Sequence, residues 1–283
     1  MITKKKKSSL KPTTVKTAPK KVITMFKPYV LTRHPSHAPL RTKLPLLKGR
    51  SVVRLGSTTV INDGKARTEV NSVQGVRNSA SKLLMKQCFT RAGVKTTAWK
   101  NGTSTEILAW ADSIGYPIVS KSHFGSRGVG NQKHNDRASL ERFIRSNPSG
   151  YIYEKFQPLG REYRLHISKF GCFYSCRKLL KNDAPEGTWQ MHADYCNWAL
   201  ENNPSFKKPA NWNAIVEDCM KAQKALGLDI CAFDVMVSVP KKDGNSDWLI
   251  AESCSAASFG DITLQKYLEE IPKIINIKNG RGN

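Results

Sequence analysis

Two carboxylates in an otherwise apolar part of the chain are the first residues that could do chemistry. Asp234 lies in "DICAFDVMVSVP", and Glu252 ends the apolar run in "SDWLIAESCSAASFG". A buried carboxylate without a partner is strongly destabilising. The two segments are predicted to form a β-hairpin with its loop at "KKDGN", where Gly244 can adopt a positive φ. Placing Pro240 opposite Ser246 and counting along both strands brings Asp234 directly across from Glu252.

This pairing raises an electrostatic problem, because like charges directly across a strand pair repel each other. A cation between Asp234 and Glu252 would solve it. Mg²⁺ is the natural candidate, since proteins usually hold it with one or two carboxylates while substrate phosphates supply further ligands. The residues alone leave an alternative open, which is a slip in register that turns one carboxylate towards solvent.

A second group of residues has the composition of a phosphate site. The segment "YPIVSKSHFGSRGVG" puts Lys121 at the end of a predicted strand and follows it with a loop that contains Gly125, Gly128 and Gly130. Glycines let backbone N–H groups approach an anion closely, and a lysine adds a point charge. The order of lysine before glycines differs from that of a P-loop. A glycine-rich hairpin without a ligand is the alternative.

A third segment could hold a nucleoside. In "YIYEKFQPLGREYRLHIS" a predicted strand ends at Glu154, Lys155 and Phe156, and Glu162 begins the next strand. Such an edge can offer backbone N–H and C=O groups to an adenine, while a glutamate reaches a ribose hydroxyl. Taken singly, each glutamate is better explained as a surface residue.

In this order the motifs resemble the ATP-grasp superfamily of carboxylate–amine ligases. The match covers about residues 76–262 and includes the lysine of "SASKLLMKQCFTRAGV". The resemblance implies an α+β ATP-grasp fold, in which two α/β subdomains sandwich the nucleotide, preceded by a short N-terminal region. In overall build the chain is most similar to small phage-encoded ATP-grasp proteins.

The resemblance also implies which residues bind ATP. Lys82 and Lys121 would contact the α- and β-phosphates, and Glu162 would hold the ribose. Residues 122–130 would fold over the triphosphate, a loop whose predicted contacts are Gly125, Ser126 and Gly128. The adenine hinge would consist of Glu154, Lys155 and Phe156.

The implied reaction needs a metal and a clamp. Asp234 and Glu252 would hold Mg²⁺, while Arg164 and Arg177, on neighbouring strands, would clamp a carboxylate or the γ-phosphate, because a guanidinium fork matches both. ATP-grasp enzymes typically activate a carboxylate as an acylphosphate and pass it to an amine or thiol. The expected partners are therefore a small-molecule or peptide carboxylate and an amine acceptor.

Three departures from the family pattern leave a non-catalytic alternative open. The usual "E-x-N-x-x-P-G" ending has Cys254 in place of the asparagine and Ala257 in place of the proline, and a thiol is a poor ligand for Mg²⁺. Ala232 stands where many members carry an arginine, and residues 23–75 are shorter than the usual N-terminal domain. The alternative is a nucleotide-binding protein whose catalysis has lapsed and which associates with nucleic acid.

The elements that must position these residues follow from hydrophobic periodicity and turn signals. One amphipathic helix is predicted over "QGVRNSASKLLMKQCFTRAG", and two more over 104–115 and 136–147, the last with Asp136 as its N-cap. "QMHADYCNWALENNPSFKKPAN" is predicted to be a long loop. The predicted divisions are a basic tail (1–22), an N-terminal region (23–75), a first subdomain (76–155) and a second subdomain with the metal site (156–275).

The charge of the chain is concentrated at its N-terminus. The 283 residues carry a net charge of +24, and residues 1–50 contain fourteen lysines and arginines without an acid. The tail is predicted to be disordered, either as a nucleic-acid-binding arm or as a solvated one. No apolar stretch approaches the ~18–20 residues of a membrane span. With no secretory signal and seven scattered cysteines, a reduced, cytoplasmic protein is expected, in the host cytoplasm if the protein is viral.

Overall fold

The structure is a computed structural model that describes residues 24–125, 128–158, 160–186, 188 and 195–280. The predicted basic tail and Ser126 lie outside these described residues. In chain order the strands are β1 (Met25–Phe26), β2 (Tyr29–Thr32), β3 (Leu47–Lys48), β4 (Ser51–Leu55), β5 (Thr68–Val70), β6 (Trp99–Lys100), β7 (Ile118–Ser122), β8 (Gln132–His134), β9 (Tyr151–Lys155), β10 (Arg161–Ser168), β11 (Gly171–Leu180), β12 (Cys196–Leu200), β13 (Ile230–Val237) and β14 (Trp248–Cys254). The α-helices are α1 (Ala38–Lys43), α2 (Val73–Ala80), α3 (Lys82–Ala92), α4 (Ser104–Ile114), α5 (Arg137–Ser146), α6 (Trp212–Leu226) and α7 (Asp261–Lys278).

The largest sheet has five antiparallel strands in the order β12-β11-β10-β13-β14. Its central strand alternates, so that Tyr163 and Leu165 enter the core while Glu162 and Arg164 point to the opposite face. Helices α2, α3 and α6 pack on the apolar face. The predicted division placed most of α2 and all of α3 in the first subdomain (76–155), apart from this sheet. In the structure their apolar side chains belong to the core of the sheet.

A second antiparallel sheet has the order β6-β9-β7-β8 and is covered by α4 and α5. The predicted helices at 104–115 and 136–147 are confirmed. Thr103 and Glu106 form a capping box at the start of α4, and the Asp136 side chain accepts a hydrogen bond from the Ser139 N–H at the start of α5.

The N-terminal region contains a parallel sheet in the order β2-β4-β5, whose core is shared with α7. The two antiparallel sheets with their packed helices make the fold α+β, as predicted. None of the helices in the described ranges is long and apolar enough to span a bilayer.

Two predicted elements were wrong in detail. The single helix expected over 74–93 is broken at Ser81, which has extended backbone angles and caps α3 by accepting a hydrogen bond from the Leu84 N–H. This break orients Lys82 at the first turn of α3. The predicted long loop contains β12, whose residues pair with β11 at the edge of the five-stranded sheet.

Candidate functional site

A cavity of about 940 Å³ lies between the two antiparallel sheets. Strands β7 and β9 line one side, strands β10, β11, β13 and β14 line the other, and Arg33 and Gly56 of the N-terminal region close one end. Most of the predicted site residues line it, and these are Lys121, Gly125, Gly128, Glu154, Lys155, Phe156, Glu162, Arg164, Asp234 and Glu252.

Glu154 is the centre of a buried ion cluster on one side of the cavity. Its Oε2 lies 2.9 Å from Lys121 Nζ, and its Oε1 lies 3.2 Å from Lys86 Nζ. Thr97 also donates a hydrogen bond of 2.8 Å to Oε2. Burial alone would raise the pKa of Glu154, but Lys121 and Lys86 overcome it and hold the pKa at about 2. Glu154 is therefore ionised, and its two oxygens are bound by Lys121, Lys86 and Thr97.

Lys82 brings a second ammonium group towards the same region. Its Nζ lies 2.9 Å from Glu252 Oε1 and donates a hydrogen bond of 3.1 Å to the carbonyl of Gly125. Lys82 thus links the end of β14 to the glycine loop. Unlike Lys121, Lys82 is not one of the residues that line the cavity, and the binding of phosphates by Lys82 and Lys121 stays a prediction.

A second ion cluster lies on the five-stranded sheet. Arg164 forms a bidentate ion pair with Asp234, with distances of 2.7 Å from Nε to Oδ1 and 2.8 Å from Nη2 to Oδ2. Lys178 pairs with Asp234 Oδ2 at 3.1 Å and forms a close ion pair with Glu162. Burial would raise the pKa of Asp234, but Arg164 and Lys178 hold it well below its usual range. For Glu162 burial prevails, and Asp234 adds to it, so its pKa is raised.

The predicted pairing of Asp234 with Glu252 is confirmed, although the count that led to it is wrong near the loop. There Val237 pairs with Trp248, one residue out of the predicted register. A β-bulge at Ala251 restores the count, so that Asp234 still lies opposite Glu252.

Arg177 does not reach the cavity. A β-bulge in β11 shifts its pairing with β10 by one residue, so Arg177 lies opposite Tyr163 on the helix-covered face. There it donates a hydrogen bond of 2.7 Å to the carbonyl of Ser205. The cavity-facing cation is the next residue, Lys178, because a slip of one residue exchanges the faces of a strand. The predicted clamp role of Arg177 is therefore corrected in favour of Lys178.

The predicted adenine hinge lines the cavity. Many of its hydrogen-bonding groups are already bound to other parts of the protein. The N–H of Lys155 donates to Ala98, and the N–H of Phe156 donates to Pro117. The Lys155 ammonium donates to the carbonyls of Gly115 and Tyr116, both at 3.0 Å. These bonds hold the Lys155 side chain against the backbone just before β7, so it is not available to bind a ligand.

The donor set fits a magnesium ion held mainly by carboxylates and phosphates. Asp234 and Glu252 both line the cavity, and the Glu252 side chain is 42% exposed. Burial raises the pKa of the Cys254 thiol, and a neutral thiol is a poor ligand for a hard cation. The described residues contain no cluster of three or more histidine, cysteine or acidic side chains suited to a metal. Two carboxylates with substrate phosphates still satisfy what Mg²⁺ usually requires.

Sequence reasoning missed three residues at this site. Lys86 follows Lys82 by four positions and so lies on the same helix face, a spacing that could have identified it. Lys178 was hidden by the bulge in β11. Trp198, on the unpredicted strand β12, is 40% exposed and has its ring centroid 5.0 Å from the Arg164 guanidinium carbon and 5.7 Å from Lys178 Nζ.

Solved structures resemble this fold, although no protein-family model matches the sequence and no curated protein is detectably similar to it. D-alanine–D-alanine ligase from Bacillus anthracis, complexed with ATP, matches with a TM-score of 0.57 at 16% identity, over 82% of this chain and 81% of that one. A RimK domain ATP-grasp protein from Sphaerobacter thermophilus matches with a TM-score of 0.52 at 16% identity, over 80% of each chain. The chain has an ATP-grasp fold.

A third solved structure matches over a smaller share of its own length. Carboxyaminoimidazole ribonucleotide synthase from Aspergillus clavatus, complexed with ATP, has a TM-score of 0.58 at 14% identity over 80% of this chain and 60% of that one. The two ion clusters line the cavity between the two antiparallel sheets from opposite sides.

Proposed function

We propose that the protein is an ATP-dependent ligase that joins a carboxylate to an amine. The observation that supports this function most is the charge arrangement of the cavity. Lys121 lies on the four-stranded sheet and Arg164 and Lys178 lie on the five-stranded one, while Lys82 links Glu252 to the glycine loop. Each of these cations pairs with a carboxylate. A triphosphate needs several cations in fixed positions, since phosphoryl transfer depends mostly on positioning and electrostatics.

In this proposal the two lysines hold the α- and β-phosphates and the glycine loop covers them. Lys82 already contacts the Gly125 carbonyl, so its ammonium is near the loop that would close. Burial lowers the pKa of Lys121 but Glu154 more than offsets it, so the net pKa is raised and the group stays charged at neutral pH. The hinge around Phe156 would receive the adenine, and Glu162 is the nearest candidate for the ribose.

The metal would be held by Asp234 and Glu252. A magnesium ion bound there would neutralise charge on the transferred phosphoryl group. The chain's own contribution is to orient the two carboxylates. Arg164 and Lys178 orient Asp234 and lower its pKa, and Lys82 pairs with Glu252.

The proposed chemistry has two steps. A carboxylate oxygen of the acyl donor attacks the γ-phosphorus, the bond from that phosphorus to the β,γ-bridging oxygen breaks, and ADP leaves. The amine nitrogen then attacks the acyl carbon, phosphate leaves with the former carboxylate oxygen, and the amine loses a proton. Arg164, which keeps N–H groups beyond those bound to Asp234, and Lys178 would balance the negative charge in both steps.

A second candidate is a nucleotide-binding protein whose catalysis has lapsed. Cys254 and Ala232 favour it. They lie opposite each other on β14 and β13, at positions where the resemblance predicts an asparagine and an arginine. Nucleic-acid association through the basic tail belongs to this candidate.

A screen for stimulated ADP release separates the two. The full-length protein is incubated with Mg-ATP and with amino acids, peptides or nucleic acids, and ADP is measured by a coupled assay. The ligase predicts ADP release that depends on a carboxylate and an amine together. ATP binding without acceptor-dependent ADP release would instead support the lapsed enzyme.

A further inference from the structure

Lys86 is the most deeply buried cation of the cavity wall, and the proposed reaction gives it no role. Its side chain is 0% exposed, so it cannot contact a ligand in the cavity. Its Nζ donates hydrogen bonds of 2.6 Å to the hydroxyls of both Thr96 and Thr97 and pairs with Glu154. A buried lysine is costly unless it is paired, so this position requires an explanation.

The hydrogen bonds around Lys86 form a directed network. Thr97 accepts from Lys86 and donates to Glu154 Oε2, the same oxygen that pairs with Lys121. Thr96 accepts from Lys86 and donates a hydrogen bond of 2.7 Å to the carbonyl of Ile250 on β14. Lys86 thus connects the carboxylate that holds Lys121 with the strand that carries Glu252.

The charges of this cluster do not cancel. Lys86 and Lys121 are cations and Glu154 is an anion, so the three together carry one positive charge. Lys121 is the most exposed of the three towards the cavity, with a side chain that is 21% exposed against 2% for Glu154 and 0% for Lys86. If Glu154 had Lys121 as its only cation, the pair would be neutral and the cavity wall would lose that charge.

We propose that Lys86 is a positioning residue for the phosphates of ATP. By sharing Glu154 with Lys121, Lys86 leaves the Lys121 ammonium with an unbalanced positive charge towards the cavity, at a point fixed by Thr97. This inference rests on the proposed binding of ATP. It goes beyond that proposal because it assigns a role in phosphate affinity to a residue that touches no ligand.

The test compares ATP with adenosine, because a charge effect acts on the phosphates and leaves the nucleoside alone. Calorimetric titrations of Mg-ATP and adenosine are made with the full-length wild type, Lys86→Met, Glu154→Gln and the double variant. Lys86→Met should weaken ATP binding about tenfold, as expected for losing one charge several ångströms from a phosphate in a partly buried site, with little effect on adenosine. The double variant again has Lys121 as the one uncompensated cation, so its ATP affinity should return to within about threefold of the wild type.

The outcomes distinguish a positioning role of Lys86 from a purely structural one. Equal weakening of ATP and adenosine by Lys86→Met, or an unchanged affinity for both, would overturn the proposal and make Lys86 a structural residue only. If Lys86→Met does not fold, the double variant decides, because it removes the buried carboxylate together with its buried cation, and a selective loss of ATP affinity in it would also overturn the proposal. A wild type that binds no ATP would defeat the proposed function itself, and this inference with it.

Discussion

Asp234 and Glu252 lie directly opposite each other on β13 and β14, yet each carboxylate is balanced by different cations. Asp234 is held by Arg164 and Lys178, whereas Glu252 is held by Lys82. The like-charge pair is therefore stable without a metal, and both carboxylates lie on the cavity wall.

This arrangement predicts that Glu252→Gln affects the metal more than the fold. The Glu252 side chain is 42% exposed and has one ion pair, and such partly exposed pairs contribute about 0–1 kcal/mol. The melting temperature without ligand should hardly change, while the magnesium concentration needed for half-maximal ATP binding should rise about tenfold or more if a ligand worth ~1.4 kcal/mol is lost. A large loss of stability with unchanged magnesium dependence would make Glu252 structural.

Cys254→Asn should move magnesium dependence the other way. The substitution places an amide oxygen, a harder ligand than a thiol, beside the two carboxylates. Titration of magnesium at fixed ATP should show tighter binding or faster ADP release than in the wild type. If Cys254→Asn and Glu252→Gln shift the magnesium requirement in the same direction, the proposed metal site is not at this position.

Two neighbouring residues on β11 provide a matched test of which face is functional. Lys178→Met should reduce ADP release by a factor of about 100 or more, as expected when a charge-stabilising group is removed from a transition state. Arg177→Met removes the same charge from the helix-covered face and should leave turnover nearly unchanged. Equal losses in the two variants would contradict the assignment of Lys178 to the cavity, provided that both melt cooperatively.

The limits of sequence reasoning here are set mainly by β-bulges. Hydrophobic alternation in β10 indicates the polar face of Arg164, because Tyr163 and Leu165 are apolar on either side. Alternation could not identify the face of β11, because the bulge that turns Lys178 instead of Arg177 towards the cavity is not marked by any residue type in the sequence. The Asp234–Glu252 pairing was found only because the bulge at Ala251 offset an error in the loop register.

Helix continuity was also hard to read from the sequence. The residues on both sides of Ser81 continue an amphipathic pattern, so a single helix was expected, and only the extended backbone at Ser81 shows the break. Lys86 and Glu154 are far apart in the chain, and nothing local indicates that they meet. In contrast, Asp136 gave the start of its helix directly, because capping is a local interaction.

The buried Glu154 cluster predicts a specific sensitivity to acid. The pKa of Glu154 falls from 4.5 to about 2 on folding, so its contribution to stability is complete above pH 4.5 and is lost as the pH falls towards 2. For a fully buried group this shift corresponds to about 3 kcal/mol. Melting temperatures measured from pH 6 to pH 2.5 should therefore fall more steeply for the wild type than for Glu154→Gln. Parallel curves would show that Glu154 is not ionised in the folded protein.

The basic tail can be tested separately from the ATP site. Deleting residues 1–22 removes eight lysines and no acid. Binding to a labelled single-stranded oligonucleotide should weaken and lose much of its salt dependence, because fewer counterions are released. ATP affinity should be unchanged. An identical salt slope before and after deletion would mean that the tail is a solvated arm.

The central claim is that the Lys121 side of this cavity binds the phosphates of ATP, and thermal stabilisation by Mg-ATP tests it most directly. In Lys121→Ala, Glu154 keeps Lys86 and Thr97 as partners, so the protein should still fold. We predict that Mg-ATP raises the melting temperature of the wild type and leaves that of Lys121→Ala unchanged. Undiminished stabilisation of Lys121→Ala, or no stabilisation of the wild type at millimolar ATP, would contradict the account.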